Sequence, residues 1–277
     1  MVTINFPPMQ AFMDHVLDTY SELDPLCNSR GGVTVDVDDC VDCCKDSYYG
    51  GDTQYKCNNS KKIYLIRNLA TQIKQIELAL SQSLREDICG QNDITVMSLG
   101  GGPGTEAIAL MDTLRDYAND FTLSFDNVES EYSWQTMYED LTQNFVNRIR
   151  NVTLKTRFLP SSIETHVETV TVLYDLAFVS WLFSLIETSQ EILSILNVLG
   201  SLLREGGYLV IADRFEDKVV TRISSAIENA DELILKENDR QIQWCGVMFP
   251  DDVRDKFKVR LKADSMYWIL QKYSPEF

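Results

Sequence analysis

Ile94-Thr-Val-Met-Ser-Leu99 is an apolar run that passes without a break into Gly100-Gly-Gly-Pro-Gly104, after which Thr105-Glu-Ala-Ile-Ala-Leu-Met111 opens a helix. A strand, a glycine turn and a helix in that order commit the chain to α/β architecture, because parallel strands need a crossover and a helix supplies it. The glycines let the backbone pass close to a ligand, and the helix N-terminus offers N–H groups and the positive end of a dipole. A dinucleotide-type G-x-G-x-x-G would place its last glycine at Thr105 or Ala107, so a nicotinamide ligand is weakened. Taken alone, the turn serves equally as a tight strand-to-helix connection.

Downstream the texture keeps alternating. Strands are predicted at 94–99, 121–128, 152–158, 173–179 and 208–213, with helices at 105–117, 134–149, 190–203 and 217–235. Strand–helix alternation of this length predicts a doubly wound, mostly parallel sheet covered on both faces. Two last strands, 258–262 and 266–272, are separated only by Ala263-Asp-Ser265, which predicts an antiparallel C-terminal hairpin. Just beyond the second strand stand Glu129 and Trp134. A carboxylate at that point can accept two hydrogen bonds from a ribose diol, or serve as a plain loop carboxylate.

The first 88 residues read differently, as a helical and cysteine-rich extension ahead of an 89–277 domain. Met9, Phe12, Met13, Val16, Leu17 and Tyr20 mark an amphipathic helix. A long helix over 60–86 has Ile63, Ile66, Leu69, Ala70, Ile73, Ile76, Leu80 and Leu84 on its apolar face. Residues 26–59 show no period and predict a long loop holding most of the cysteines and, from Asp36 to Asp46, five aspartates. Cys40-x-x-Cys43, with Cys27 and Cys57 flanking, has the count for a structural zinc, which would order an apolar-poor stretch. Only one C-x-x-C is present, so plain reduced cysteines and disulfides stay open as alternatives.

Composition narrows the partners. The chain has 25 lysines and arginines against 42 aspartates and glutamates, a net charge of −17 over 277 residues. Such a surface repels phosphate backbones and favours small-molecule or basic protein partners over nucleic acid. No apolar run reaches the roughly 18–20 residues of a membrane span, and the first ten residues have no basic cluster, which predicts a cytoplasmic protein.

Residues 93–277 resemble a class I S-adenosylmethionine-dependent methyltransferase. The likeness rests on Ser98-Leu-Gly-Gly-Gly-Pro-Gly-Thr-Glu106, on Glu129 with Trp134, on Asp175-Leu-Ala-Phe-Val-Ser180 and on Leu203-Arg-Glu-Gly-Gly-Tyr-Leu-Val-Ile211, and it covers about two-thirds of the chain. It implies a Rossmann-like doubly wound sheet with the terminal hairpin, and S-adenosylmethionine as cofactor. Gly100, Gly101, Gly102 and Gly104 would let the backbone approach the methionine and ribose, and Glu129 would hold the ribose hydroxyls. Ser161 or Ser162 would lie near the adenine, and Ser180 with Trp181 would face the sulfonium. One departure stands out: the family often has an acid two residues before the first glycine, where this chain has Ser98, which would make that contact itself or through water. Methyl transfer is an in-line displacement that needs alignment and a dry site, with a base only where the nucleophile must lose a proton. Asp213 and Glu187 are the candidates for a base, and neither histidine, His15 or His166, is well placed. The competing readings are an RNA methyltransferase, a non-catalytic cofactor-binding or assembly protein with a metal-bound N-terminal module, and, more distantly, a nicotinamide oxidoreductase.

Overall fold

Residues 94–99 are apolar on both faces, which requires a strand covered from two sides. The computed structural model describes residues 8–27, 33–34, 36–49, 57–80, 82–117, 119–170 and 172–273. The N-terminal part runs α1 (Pro8–Tyr20), a two-residue ladder of β1 (Leu26–Cys27) and β2 (Val33–Thr34), α2 (Val37–Tyr49), α3 (Asn58–Ala79) and α4 (Gln82–Cys89). Then β3 (Asp93–Leu99), α5 (Thr105–Leu114), β4 (Phe121–Val128), α6 (Gln135–Val146), β5 (Val152–Leu159), α7 (Ile163–Thr169) and β6 (Tyr174–Ser180) alternate. The chain ends with α8 (Ser189–Leu202), β7 (Leu203–Arg214), α9 (Asp217–Ile227), β8 (Leu233–Trp244), α10 (Asp251–Phe257) and β9 (Lys262–Lys272).

The sheet has seven strands in the order β5-β4-β3-β6-β7-β9-β8. Pairing is parallel from β5 to β7 and antiparallel at β7–β9 and β9–β8. Side chains alternate between two cores with the period of two that a strand imposes. Val96, Leu176, Phe178, Val210 and Ile269 point to one face, shared with α1, α3, α5 and α6. Met97, Ala177, Val179, Leu209, Ile211 and Trp268 point to the other, under α8 and α9. From β3 the chain moves outward to β4 and β5, then returns to lay β6 on the other flank of β3. That reversal opens a crevice at the carboxyl ends of β3 and β6, where doubly wound sheets hold their ligands.

The N-terminal helices build a further layer on the first face. Phe12, Met13 and Val16 of α1 and Ile63, Ile66, Leu69, Ile73 and Ile76 of α3 share one apolar core with Ile108, Leu110 and Met111 of α5. The ring of Phe12 meets Phe145 of α6 edge to face at 5.2 Å. Among the described residues, no helix is long and apolar enough to cross a membrane.

Three elements depart from the sequence expectation. Part of the supposed loop at 26–59 is α2, capped by a reciprocal pair: the Asp39 N–H donates to Asp36 Oδ1 at 2.8 Å, and the Asp36 N–H to Asp39 Oδ2 at 3.5 Å. Asp38 and Asp39 occupy its first turn, where the helix dipole favours negative charge. The 60–86 helix is two helices, α3 and α4. The antiparallel C-terminal pair exists, but β9 pairs with β8, from Leu233↔Lys272 to Trp244↔Lys262, with α10 between the two, and 258–261 is not a strand. As an edge strand β8 carries mostly polar, exposed residues, so it gave no strand signal, and the predicted helix running to 235 overlaps its start.

If α1 is part of the main core, Phe12→Ala should destabilise the whole unit. The side chain is fully buried, so the expected loss is about 3–5 kcal/mol. In denaturant unfolding, far-UV circular dichroism and tryptophan fluorescence should shift together; a change confined to a small helical fraction would contradict the packing.

Candidate active site

The site begins where β3 ends. The Gly100 N–H donates to Val128 O and the Gly104 N–H to Gly101 O, both at 2.8 Å, closing a tight turn against β4. A Cβ on Gly101 would sit 2.1 Å from Asn127 Oδ1 and 2.5 Å from Ser98 Oγ, so only glycine fits there. Gly104 takes φ +89° to cap α5, with Tyr138 2.7 Å from where its Cβ would be. Two side chains from the end of β4 then hold the loop. Asn127 Nδ2 donates to Gly102 O at 3.1 Å, and Glu129 Oε2 accepts the Gly102 N–H at 3.0 Å. The other Glu129 oxygen accepts the Glu131 N–H at 2.8 Å.

Around this loop lies a cleft of about 270 Å³. The glycine turn, Glu129 and Trp134 line one side, and Ser180, Trp181 and Leu182 the other. Tyr64 of α3 also lines it, its ring edge-to-face with Trp134 at 5.6 Å. The neighbouring Lys61 Nζ donates to Ser133 O at 2.9 Å and lies 5.9 Å from the centre of the Trp134 ring. Trp181 adopts φ +55°, a costly conformation for a large side chain, and its N–H is tied to Ala212 O at 2.8 Å.

The floor of the cleft is polar and dry. Glu106, in the first turn of α5, is 2% exposed. Burial pushes its carboxyl up to about 7, against the lowering effect of its own N–H and the Ser180 and Ser98 hydroxyls, while the charge of Glu129 adds to the rise. Glu129 is also raised by burial, held back by the N–H groups of Glu131 and Gly102. Glu106 Oε2, Ser98 Oγ, Ser180 Oγ and Asn127 Oδ1 are buried without a hydrogen bond of good geometry, although the two serine hydroxyls stand near enough to Glu106 to act on its carboxyl. Native interiors rarely leave such atoms orphaned, so the arrangement suits a ligand that brings its own polar and positively charged groups.

Of the residues singled out from sequence, Gly100, Gly101, Gly102, Glu129, Trp134, Ser180 and Trp181 converge on this cleft. Ser98 stands directly behind Gly101, and Gly104 caps the adjoining helix. Ser161 lies elsewhere, on a separate cavity of about 300 Å³ with Arg157 and His166, and Ser162 caps α7. Asp213 is buried and spends its carboxylate on the Ser184 N–H at 2.8 Å and the Arg214 N–H at 2.7 Å, so it shapes a turn. Glu187 is exposed, away from the cleft. His15 meets Asp140 at 3.3 Å and His166 meets the Tyr174 hydroxyl at 3.0 Å. Glu106, Asn127, Tyr64 and Arg214 belong to the site without having been singled out. Glu106 stood inside the glycine motif and Asn127 two residues before Glu129, so both had a local signal; Tyr64 and Arg214 had none.

The zinc reading finds no support. Among the described residues, no three of His, Cys, Asp and Glu are grouped to hold a metal ion. Cys40, Cys44 and Cys57 are buried against α3. The Asn59 amide donates to Cys40 Sγ and the Ser60 hydroxyl to Cys43 Sγ, each at 3.5 Å. Burial pushes the Cys44 thiol up to about 12, with Arg67 the main opposing influence, which keeps it a neutral apolar group. Packing on α3 holds α2 in place, while the Cys27 side chain lies outside the described residues.

Because Glu106 binds its proton more tightly folded than unfolded, it contributes stability below about pH 4.5 that is lost as pH rises toward about 7. The loss amounts to about 3 kcal/mol. Glu106→Gln should remove that component, so the stability difference between variant and wild type should grow in the variant's favour between pH 4.5 and 7.5. Parallel denaturation curves across that range would show Glu106 to be ionised throughout.

No known family profile matches this chain, and no curated protein matches it in sequence. Solved structures do match in shape. The plantazolicin methyltransferase BamL, in complex with a triazolic desmethylPZN analog and SAH, aligns over 86% of this chain and 100% of its own, at 12% identity and a TM-score of 0.50. The plantazolicin methyltransferase BpumL in complex with SAH aligns over 85% of this chain and 96% of its own, at 9% identity and the same TM-score of 0.50. At such identity the likeness is one of fold, and it agrees with the strand order, the reversal at β3 and the antiparallel end: the chain has the class I S-adenosylmethionine-dependent methyltransferase fold.

Proposed function

We propose that this chain is an S-adenosylmethionine-dependent methyltransferase acting on a small-molecule acceptor. The observation that carries the reading is the meeting of the glycine turn, Glu129 and Trp134 in one cleft at the point where the strand order reverses. The residues fit the cofactor: beside Gly102 nothing stands nearer than Trp134 at 3.9 Å to where a Cβ would be, so the backbone is open to a ligand, and the orphaned polar atoms of Ser98, Ser180 and Glu106 await partners. When bound, S-adenosylmethionine supplies a methyl group on a sulfonium, transferred to an acceptor lone pair as the S–CH3 electron pair returns to sulfur.

The chain's own residues hold and orient. Each Glu129 oxygen has lone-pair capacity beyond the N–H bond it accepts, so the carboxylate takes the ribose hydroxyls while keeping Gly102 in place. Glu106, Glu129 and Glu131 make the cleft attractive to a cationic donor. Trp134, Trp181 and Leu182 exclude water from it. An acceptor with an available lone pair needs alignment alone. The 1–88 extension acts as an acceptor-side wall, since α3 brings Tyr64 to the cleft. The net charge of −17 supports a small acceptor over nucleic acid.

Calorimetric titration with S-adenosylmethionine and S-adenosylhomocysteine should give saturable binding of both and none of NAD. Glu129→Ala should weaken both by about 10–100-fold, the value of hydrogen bonds to a charged group. Gly101→Ala should abolish binding, because its Cβ displaces Asn127 and the turn, while the protein still melts cooperatively. A folded protein that binds neither sulfur ligand would sink the reading.

A further inference from the structure

The amphipathic pattern of α3 assigns its second, polar face to solvent, yet that face is buried. Asn68, Thr71, Gln72 and Gln75 recur at helical spacing and are only 3–4% exposed. They wall a second cavity of about 290 Å³, closed by Arg214 and Glu216 beyond the sheet edge and by Arg260, Lys262 and Asp264. Trp181 and Arg214 line both this cavity and the first cleft, so the two adjoin. The Tyr64 hydroxyl, on the cleft side, donates to Gln72 Oε1 at 2.8 Å. That leaves Gln72 Nε2 buried without a partner, and Asn68 Oδ1, one helical turn away, is buried without one too. A buried donor and a buried acceptor orphaned one helical turn apart on a cavity wall cost stability unless a ligand completes them.

The charge of the wall points the same way. Three cations stand against two carboxylates, and Asp264 is additionally closed from outside by a bidentate pair with Arg240. In a chain of net charge −17 this is a local positive site.

We infer that the second cavity is the acceptor pocket, and that it takes a small polar molecule presenting an amide-like donor–acceptor edge to Asn68 and Gln72 and an anionic group, carboxylate or phosphate, to Arg260 and Lys262. The word acceptor rests on the methyltransferase reading; the chemistry of the pocket does not. The long-range charge of the protein favours cationic acceptors, and the pocket selects against them.

The test uses three probes on the full chain saturated with S-adenosylhomocysteine: 4-acetamidobenzoate, 4-acetamidophenyl phosphate and 4-acetamidobenzylamine, followed by calorimetry. Either anion, or both, should bind at least tenfold more tightly than the amine, and which anion wins names the group. Asn68→Leu should weaken the anions at least tenfold without lowering the melting temperature, because it removes an orphaned acceptor. Lys262→Glu, on an exposed side chain that cannot threaten folding, should weaken the anions and spare the amine. Neither variant should change S-adenosylhomocysteine affinity. Binding of the amine as tight as that of the anions, no anion binding, or anion binding untouched by both variants would overturn the proposal. If S-adenosylhomocysteine itself fails to bind, the methyltransferase reading falls, and the same probes on the bare protein still decide the pocket's chemistry.

Discussion

Gly102 is gripped at both of its backbone polar groups by the neighbouring strand, its C=O by the Asn127 amide and its N–H by Glu129. That grip depends on register. The parallel pairing of β3 with β4 sets Ser98 beside Asn127 and Leu99 beside Val128, so the two holding side chains emerge beside the glycine turn. A slip of one residue would turn Asn127 to the opposite face. The register is in turn held by two apolar cores, one on each face of β3, which the N-terminal helices help complete. The extension is therefore tied to the site through packing, not only through Tyr64.

Buried polar groups fall into two kinds here, and the contrast separates structure from function. Asp126 is buried but satisfied: it accepts from Arg157 Nε and the Tyr174 hydroxyl, each at 2.7 Å, and Tyr174 meets His166 at 3.0 Å. Such a closed network fastens β4, β5, β6 and α7 and leaves nothing for a ligand. Ser98, Glu106, Asn127, Ser180, Asn68 and Gln72 each keep a buried atom unpartnered and gather at two adjoining cavities, while Arg222 Nε and Trp268 Nε1 are orphaned away from both. Orphans scattered at random would be defects. Orphans collected around empty volume are the imprint of groups that the chain does not itself supply.

Much of this was legible in the sequence where cause and effect are close along the chain. The glycine turn, Glu129 and Trp134 follow directly from strands whose apolar pattern is unmistakable. The failures share one physical origin. α2 and β8 are built from residues whose partners lie far away: Cys40, Val41 and Cys44 are core because α3 covers them, and the polar β8 is a strand because β9 supplies its hydrogen bonds. Ser161 follows the third strand as expected, but the chain bends there so that it borders Arg157 and His166 instead of the cleft. The buried polar row of α3, Asn68, Thr71, Gln72 and Gln75, had no signal in the sequence. Periodicity reports that a helix has two faces, while only the tertiary fold decides whether the second one meets water.

Net charge and pocket charge then act at different ranges. Beyond about 8 Å, at physiological ionic strength, separate charges are largely screened, so the −17 of the whole surface governs which molecules approach and does little inside a walled cavity. On the cavity's inner side the buried Asn68, Gln72 and Gln75 reduce the solvent that would otherwise blunt Arg260, while Lys262 stands exposed at the mouth. If the second cavity is the acceptor pocket, a polyanion would be turned away by the surface before reaching it, whereas a small anion would carry too little charge to be excluded and would gain locally on entry. An acidic protein with such a pocket would then discriminate by size through its charge, admitting the small anion and refusing the large one.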